Sequence, residues 1–180
     1  MDKHQELIIS GMGGQGVMVI GQLLAHAAVM EDDEVVWLPS YGPETRGGTS
    51  NCTVIVSSDE IGSPVITTPD SLVALNQESV DRFGPKVKRE GVILFNASLA
   101  EAPANRSDCK IVGIPATEEA AALGSPKVAN MVMLGAYVAL LKPVSLDSVK
   151  AALKEVIPER NHKFLPLNNA ALEKGAALVG

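Results

Sequence analysis

Residues 5–30 read QELIISGMGGQGVMVIGQLLAHAAVM. The consecutive apolar residues Leu7, Ile8 and Ile9 are typical of a strand buried on both faces, which we place at residues 5–10. Apolar residues then recur at helical spacing from Val17 to Ala28, which predicts a helix over residues 16–30. A glycine-rich turn lies between the two elements. This order of strand, tight turn and helix is typical of the start of an α/β domain.

The rest of the chain continues the alternation of strands and helices. The strands around residues 50–75 have no long helix between them, which favours a mixed or antiparallel part of the sheet. We therefore predict a three-layer α/β/α fold with a mostly parallel, in part mixed, central sheet and a Rossmann-like first turn. No repeat or linker divides the chain, so residues 1–180 are predicted to form one domain. The other predicted strands are 35–38, 50–57, 65–66, 72–75, 91–95 and 110–114, and the other predicted helices are 77–83, 85–89, 117–123, 126–141, 146–157 and 168–179.

Composition excludes several classes of protein. The chain has 180 residues, 46% of them hydrophobic and 20% charged, which excludes disorder over most of its length. The net charge of −6 argues against a nucleic-acid partner. The longest apolar run, residues 131–141, is too short to span a bilayer, so no membrane association is expected. Cys52 and Cys109 are the two cysteines, too few for a disulfide scaffold, a Cys-rich zinc site or a four-Cys cluster. No metal site is predicted, and a reducing, cytoplasmic compartment is expected.

The glycine-rich turn matches the pattern G-x-G-x-x-G at Gly11, Gly13 and Gly16. Such glycines allow a tight turn, a close backbone approach and close packing of helix on strand, and the helix N-terminus favours an anion. Two interpretations stay open: the glycines serve packing or contact with another subunit, or they contact an anion or cofactor. A dinucleotide site also needs an acidic residue at the end of the second strand, and residues 37–40 contain none, which argues against NAD or FAD.

A second loop, residues 39–51, reads PSYGPETRGGTSN. Loops that follow strands line the ligand crevice of a parallel α/β sheet, so this loop is expected beside the glycine-rich turn. Arg46 offers a rigid five-donor group for phosphate or carboxylate, and Gly47 and Gly48 supply backbone without side chains. Contact of Arg46 with a ligand and contact with an acidic group of a partner are both open.

A third cluster, Lys127 and Asn130, begins an apolar helix. Asn130 at such a position most often satisfies the backbone, and a ligand role is the alternative. The sequence shows no recognisable catalytic set, because G-x-S-x-G, P-loop and H-E-x-x-H patterns are all missing. No catalytic residue is predicted.

Taken together, these motifs resemble the gamma subunit of 2-oxoacid:ferredoxin (acceptor) oxidoreductases over residues 5–180. The stretches that carry the resemblance are GMGGQG at 11–16, PSYGPETRGGT at 39–49, IGSP at 61–64 and NMVMLG at 130–135. The Arg-Gly-Gly-Thr form of the second loop is more similar to the 2-oxoglutarate and branched-chain (2-ketoisovalerate) branch than to the pyruvate branch.

The resemblance implies a holoenzyme that converts a 2-oxoacid and coenzyme A to acyl-CoA and CO₂ and passes two electrons to ferredoxin. It implies that thiamine diphosphate, Mg and 4Fe–4S clusters are carried by thiamine-binding alpha and beta subunits and a ferredoxin-like subunit. The gamma chain would serve assembly, be inactive alone, and contact coenzyme A. The candidate cofactor-binding residues are Gly11, Gly13, Gly14, Gln15, Gly16, Arg46, Gly47, Gly48, Thr49 and Asn130.

Two other functions are considered. The first is a free-standing nucleotide-binding enzyme or regulatory module that uses the Gly11–Gly16 turn, against which the missing strand-end acid argues. The second is the small subunit of indolepyruvate oxidoreductase, which shares the domain and differs in substrate.

Overall fold

A six-stranded sheet forms the centre of the computed structural model, which describes residues 3–41 and 48–180. The strands follow the spatial order β2-β3-β1-β4-β5-β6. β3 runs antiparallel to both of its neighbours, β2 and β1, and the pairs β1–β4, β4–β5 and β5–β6 are parallel. The mostly parallel sheet with a mixed part is thus confirmed. The strands are β1 His4–Met12, β2 Glu34–Tyr41, β3 Thr49–Ser57, β4 Ser71–Ala74, β5 Val92–Asn96 and β6 Lys110–Ile114.

Six α-helices pack on the two faces of this sheet. The helices are α1 Val17–Met30, α2 Gln77–Phe83, α3 Ala116–Ala122, α4 Ala129–Leu141, α5 Leu146–Val156 and α6 Leu165–Ala177. Short 3-10 helices cover Gly84–Lys86, Pro126–Val128 and Glu159–Phe164. The short strand predicted at residues 65–66 does not form. The last helix begins three residues earlier than predicted, because Pro166 fits the first helical turn, where no amide hydrogen is needed.

The two faces of the sheet bury different amounts of apolar surface. Alternate strand residues such as Leu7 and Ile9 point to a large core shared with α1, α4, α5 and α6. Ile8 points to the opposite face, where a smaller core forms around Phe83 of α2. This arrangement gives the predicted three layers, with unequal outer layers.

Helices α4 and α6 pack directly against each other through glycines. A Cβ atom added at Gly135 would lie 2.7 Å from the carbonyl carbon of Leu172. A Cβ atom at Gly175 would lie 2.8 Å from the carbonyl carbon of Val132. Real Cβ atoms do not approach backbone so closely, so the two helices can cross at this distance only because both residues are glycine.

The chain leaves the sheet in opposite directions from two neighbouring parallel strands, β1 and β4. Helix α1, which follows β1, contacts β3 and β2. Helix α2, which follows β4, contacts β4 and β1 from the other face. Ligands of α/β sheets bind where the connections diverge in this way, at the carboxyl ends of the strands. The fold therefore places a crevice beyond Met12 and Ala74.

Two buried groups make the stability of the fold sensitive to alkaline pH. Burial raises the pKa of the Cys52 thiol to about 12 from an ordinary value of 9.0. Burial likewise raises the pKa of Tyr137 to about 12 from 10.0, although its hydroxyl contacts Ser71 Oγ at 3.3 Å. Both groups are neutral acids in the folded protein. Their contribution to the free energy of unfolding is therefore complete below pH 9 and is lost as the pH rises from 9 to 12.

We expect the free energy of unfolding to fall above pH 9 by about 1.4 kcal/mol per pH unit for each group that ionises only in the unfolded state. Urea titrations at half-unit steps of pH measure this slope. Cys52→Ala should make the fall between pH 9 and 10 shallower, with the remainder there due to Cys109, and keep the part that begins near pH 10. An identical slope in both proteins between pH 9 and 10 would contradict the assignment to Cys52.

Within residues 3–41 and 48–180, no helix is both long and apolar enough to cross a membrane. The same residues contain no group of three or more His, Cys, Asp or Glu side chains arranged to hold a metal ion.

Candidate functional site

The glycine-rich turn between β1 and α1 is closed by the side chain of Gln15. The Met12 N–H donates to Gln15 Oε1 at 2.6 Å, and the Gln15 N–H donates to the Met12 carbonyl at 3.1 Å. Gln15 Nε2 also lies 3.4 Å from the Leu75 carbonyl at the end of β4. One amide side chain thus holds the turn in shape and ties it to the neighbouring strand.

Three positions of the turn require glycine, each for a different structural reason. At Gly11, a Cβ would lie 3.0 Å from both Leu75 Cβ and Val17 Cγ2, so this residue permits close packing of strand and helix. Gly14 has a φ of +92°, and no atom of the described residues lies within 4 Å of an added Cβ, so its backbone conformation is what demands glycine. Gly16 combines a φ of +81° with close contact to Asn130.

Asn130 connects the start of α4 to the start of α1. Its side chain is buried, and its Nδ2 lies 3.5 Å from the Gly16 carbonyl, which also accepts from the Ile20 N–H at 3.2 Å. A Cβ on Gly16 would lie 2.8 Å from Asn130 Cγ. This contact corresponds to the packing interpretation of Asn130, and it also places the amide at the wall of the crevice.

The turn leaves amide hydrogens available for a ligand. Among the described residues, no acceptor binds the N–H of Gly14 or Gly16. Gly16 is the N-cap of α1 and supplies no side-chain cap, and the first turn of α1 carries no acidic residue. Free N–H groups at a helix N-terminus, with the positive end of the helix dipole, favour an anion.

Part of the second loop lies beside this turn, as the sequence predicts. Thr49 pairs with Met12 in the sheet, and the Gly13 N–H donates to the Gly48 carbonyl at 2.9 Å. Arg82 of α2, which the sequence analysis missed, reaches Thr49 Oγ1 at 3.4 Å. Arg46 and Gly47 lie outside the described residues, so their predicted roles stay predictions.

A crevice of about 180 Å³ lies at the carboxyl ends of β1, β4 and β5. Its polar lining combines two regions that the sequence analysis treated separately, the glycine-rich turn and the start of α4, with residues after β5 and β6. Lys127 is the one charged residue among the described residues that line it. The polar lining residues are Gln15, Asn96, Thr117, Lys127 and Asn130.

Asn96 and Thr117 are lining residues that the sequence analysis missed. Asn96 is buried at the end of β5, where its Oδ1 accepts from the Ala116 N–H at 3.2 Å. Its Nδ2 donates to Thr117 Oγ1 at 3.0 Å. A polar residue at the end of an apolar run such as 92–95 is the signal that could have identified this position.

A second, more apolar groove of about 350 Å³ lies on the other side of Lys127 and Asn130, which line both spaces. Apolar residues including Val19, Met131 and Phe164 form much of its wall, with Asn161 and Asn168 as polar members. The crevice and the groove together form a recess that is apolar at one end and rich in hydrogen-bond donors at the other.

Comparison with known proteins identifies the family of this chain. Residues 6–178 match the family model described as pyruvate ferredoxin/flavodoxin oxidoreductase. The chain belongs to this family. The match covers all the regions that line the crevice, including the glycine-rich turn and the start of α4.

Two curated relatives differ in length. Ketoisovalerate oxidoreductase subunit VorA of Methanothermobacter thermautotrophicus is 42% identical over 169 residues, 93% of this chain and 35% of the relative. 2-Oxoglutarate synthase subunit KorC of Methanocaldococcus jannaschii is 37% identical over 159 residues, 87% of this chain and 85% of the relative. The chain therefore spans about a third of VorA but most of KorC.

Two solved structures share the fold. The gamma subunit of a keto/oxoacid ferredoxin oxidoreductase from Geobacter sulfurreducens aligns with a TM-score of 0.83 and 32% identity, covering 97% of this chain and 98% of that one. The 2-oxoglutarate:ferredoxin oxidoreductase of Magnetococcus marinus, solved with 2-oxoglutarate, coenzyme A and succinyl-CoA, aligns with a TM-score of 0.90 and 25% identity, covering 98% of this chain and 31% of that one. The resemblance to a gamma subunit is confirmed.

The strand order also bears on the free-standing nucleotide-binding alternative. In a dinucleotide-binding domain the second strand lies parallel beside the first and carries the ribose-binding acid at its end. Here antiparallel β3 separates β1 from β2, which moves the end of β2 about 10 Å sideways from the glycine-rich turn. The geometry therefore disfavours NAD or FAD binding at this turn.

Proposed function

We propose that this chain is the gamma subunit of a multi-subunit 2-oxoacid:ferredoxin oxidoreductase, with residues 1–180 as one gamma domain. The complex converts a 2-oxoacid and coenzyme A to acyl-CoA and CO₂ and reduces ferredoxin. The observation that carries this proposal is the match to a free-standing gamma subunit over 97% of this chain and 98% of the other. The match to KorC over most of both chains supports it.

The chain depends on partners for thiamine diphosphate, Mg and 4Fe–4S clusters, carried by alpha, beta and ferredoxin-like subunits. Its own donor set does not fit a cluster, since the whole sequence has two cysteines and a cluster needs about four. Burial also raises the pKa of both thiols, which opposes the thiolate form that binds metal. The isolated chain is therefore inactive and serves assembly and substrate positioning.

We place a contact with coenzyme A at the recess around Lys127. Coenzyme A carries anionic phosphates on a long, partly apolar molecule. The N–H of Gly14, which no described acceptor binds, and the Lys127 ammonium suit a phosphate, and the adjoining groove suits an extended apolar arm. Gln15 and Asn130 hold this wall in place.

Lys127→Gln tests this contact in the assembled complex. Loss of a charge-assisted hydrogen bond should raise KM for coenzyme A about tenfold and leave KM for the 2-oxoacid unchanged. Initial-rate assays with varied coenzyme A measure the effect. Lys154→Gln, an exposed lysine on α5, is the matched control. Equal KM values for coenzyme A in both variants would contradict the contact.

Arg46 stays the predicted anion contact of the second loop. Arg46→Ala should leave folding intact, because the sequence predicts this residue in a loop and not in the apolar core. It should either weaken assembly of the complex or raise KM for coenzyme A. Native mass spectrometry and initial rates measure the two effects. An unchanged subunit ratio together with an unchanged KM for coenzyme A would show that Arg46 is not part of the site.

Substrate identity is tested on the complex itself, purified through a tag on this chain. Reduction of ferredoxin is measured with coenzyme A and, in turn, 2-oxoglutarate, 2-ketoisovalerate, pyruvate and indolepyruvate. We expect the branched-chain acid or 2-oxoglutarate to be used best, supported by the similarity to VorA and KorC. Preference for indolepyruvate would favour the small-subunit alternative, and no activity with any 2-oxoacid would contradict the proposed function.

We also propose a cytoplasmic location. Its support is the presence of two free cysteines, which a reducing compartment preserves, and the dependence of the proposed reaction on ferredoxin.

A further inference from the structure

A basic concavity lies at the amino-terminal edge of the sheet, opposite the crevice. Three turns that precede β4, β5 and β6 form it, with a volume of about 780 Å³. Four basic side chains line it: Lys86, Lys88, Arg89 and Arg106. The proposed function does not use this surface.

Arg106 makes the concavity rigid. Its guanidinium donates to the Gly84 carbonyl, to the Val87 carbonyl at 2.7 Å and to Asp108 Oδ1 at 2.8 Å. Its side chain is only 12% exposed. Backbone bonds complete the framework, since the Lys88 N–H donates to the Pro69 carbonyl at 3.0 Å. The three turns that carry the charges are thus held together.

The net charge of this surface is opposite in sign to that of the rest of the chain. Two carboxylates accompany its four cations, because Lys88 pairs with Asp70 and Arg106 pairs with Asp108. Removing these six residues from the sequence totals of 15 basic and 21 acidic residues leaves 11 and 19. A positive island therefore lies on an otherwise strongly acidic molecule.

Two of the cations, Lys86 and Arg89, are not held in a close ion pair by any described carboxylate, although Arg89 lies near enough to Asp108 to lower the pKa of that carboxyl. Within the part of the chain that the structure describes, neither Lys86 nor Arg89 forms an ion pair. Lys86 Nζ lies 5.3 Å from the centre of the Phe83 ring, a cation–π contact that orients the ammonium without neutralising it. Both side chains are exposed.

We propose that this concavity, lined by Lys86, Lys88, Arg89 and Arg106, is the docking surface for an acidic surface of another subunit of the complex. The inference rests on the proposed function, which supplies the partner subunit. The volume is more than four times that of the crevice, and two of the four cations, Lys86 and Arg89, are exposed, which fits a protein surface better than one small anion. Complementary charge of this kind guides association and fixes orientation.

Acetylation of lysines with an N-hydroxysuccinimide ester tests the proposal on the wild-type protein. The labelling rate of each lysine is measured by mass spectrometry in the native complex and in the isolated chain. We expect Lys86 to react at least fivefold more slowly in the complex. Carbodiimide, which joins lysines directly to carboxylates, should cross-link Lys86 or Lys88 to an acidic residue of another subunit.

Charge reversal gives the second measurement. Lys86→Glu with Arg89→Glu should lower the fraction of assembled complex at least fivefold at 50 mM NaCl. Lys154→Glu on α5 with Arg160→Glu in the following 3-10 helix makes the same change of charge and should have a smaller effect. Circular dichroism of each isolated variant checks that it folds.

A complex in which Lys86 labels at the rate of the isolated chain would overturn this inference and leave the proposed function standing. Equal assembly of the two charge-reversed pairs would also overturn it. Failure to obtain any complex would overturn the proposed function and the inference together.

Discussion

Gly175→Ala is expected to cost about 3 kcal/mol of folding free energy and to lower Tm by about 6–12 °C. Alanine normally stabilises the interior of a helix by about 1 kcal/mol relative to glycine, so the sign of the effect is informative. Here the added methyl group would meet the backbone of α4, at 2.8 Å from the Val132 carbonyl carbon and 2.9 Å from the Ala136 nitrogen. Backbone cannot rotate away as a side chain can, so α4 and α6 must separate.

Thermal unfolding followed by circular dichroism measures this effect. Gly62→Ala is the control, because no atom lies within 4 Å of its added Cβ and its φ is not positive. Gly135→Ala should behave like Gly175→Ala, since its methyl group would meet Leu172 across the same contact. The double variant should cost less than the sum, because the first methyl already separates the helices. A Gly175→Ala protein as stable as the wild type would show that the two helices are not in backbone contact.

Gly16→Ala is expected to destabilise the chain by about 2–3 kcal/mol and to disturb the crevice wall. Two costs add at this residue: a φ of +81°, which L-residues adopt with strain, and the contact with Asn130. The added Cβ would lie 2.8 Å from Asn130 Cγ, so the amide must leave its place between the starts of α1 and α4. In the assembled complex, KM for coenzyme A should therefore rise as well.

Gly14→Ala separates the two costs. Its φ of +92° imposes similar backbone strain, but no atom within residues 3–41 and 48–180 lies within 4 Å of its added Cβ. We expect Gly14→Ala to lose about 1 kcal/mol and Gly16→Ala to lose more. Urea unfolding of Gly16→Ala, Asn130→Ala and the double variant then gives the coupling between the two residues. A coupling of zero would mean that Asn130 does not pack on the turn.

Much of the fold could be predicted from local patterns. Leu7–Ile9 and the helical spacing from Val17 onward predict β1 and α1, because both elements are fixed by burial over many positions. The start of α1 is one residue off, and β1 continues two residues beyond its predicted end, to Met12. Strand β6 was predicted with the observed bounds, 110–114. The strand predicted at residues 65–66 was wrong, because two β-branched residues among turn formers have no neighbouring strand to pair with.

Less of the site could be predicted, since it depends on contacts between distant parts of the chain. The sequence motifs indicated Gly11, Gly16 and Asn130, but only the fold brings Asn130 against Gly16, 114 residues away. Asn96 and Thr117 lie in no motif and enter the crevice because β5 and β6 end there. Lys86, Lys88 and Arg89 are neighbours in the sequence but match no binding motif. Arg106, which joins their turn to its neighbours, lies 17 residues beyond Arg89.

The measurement that tests the central claim most directly is the native mass and composition of the complex that this chain forms in its own host. The chain is tagged and purified by affinity at low salt, and each co-purified protein is identified by mass spectrometry. The account predicts a thiamine-binding subunit and a cluster-bearing subunit in fixed ratio with this chain, and a preparation that reduces ferredoxin only when a 2-oxoacid and coenzyme A are both present. A chain that purifies alone and carries a bound nucleotide would contradict the gamma-subunit function and make the Gly11–Gly16 turn a binding site in its own right.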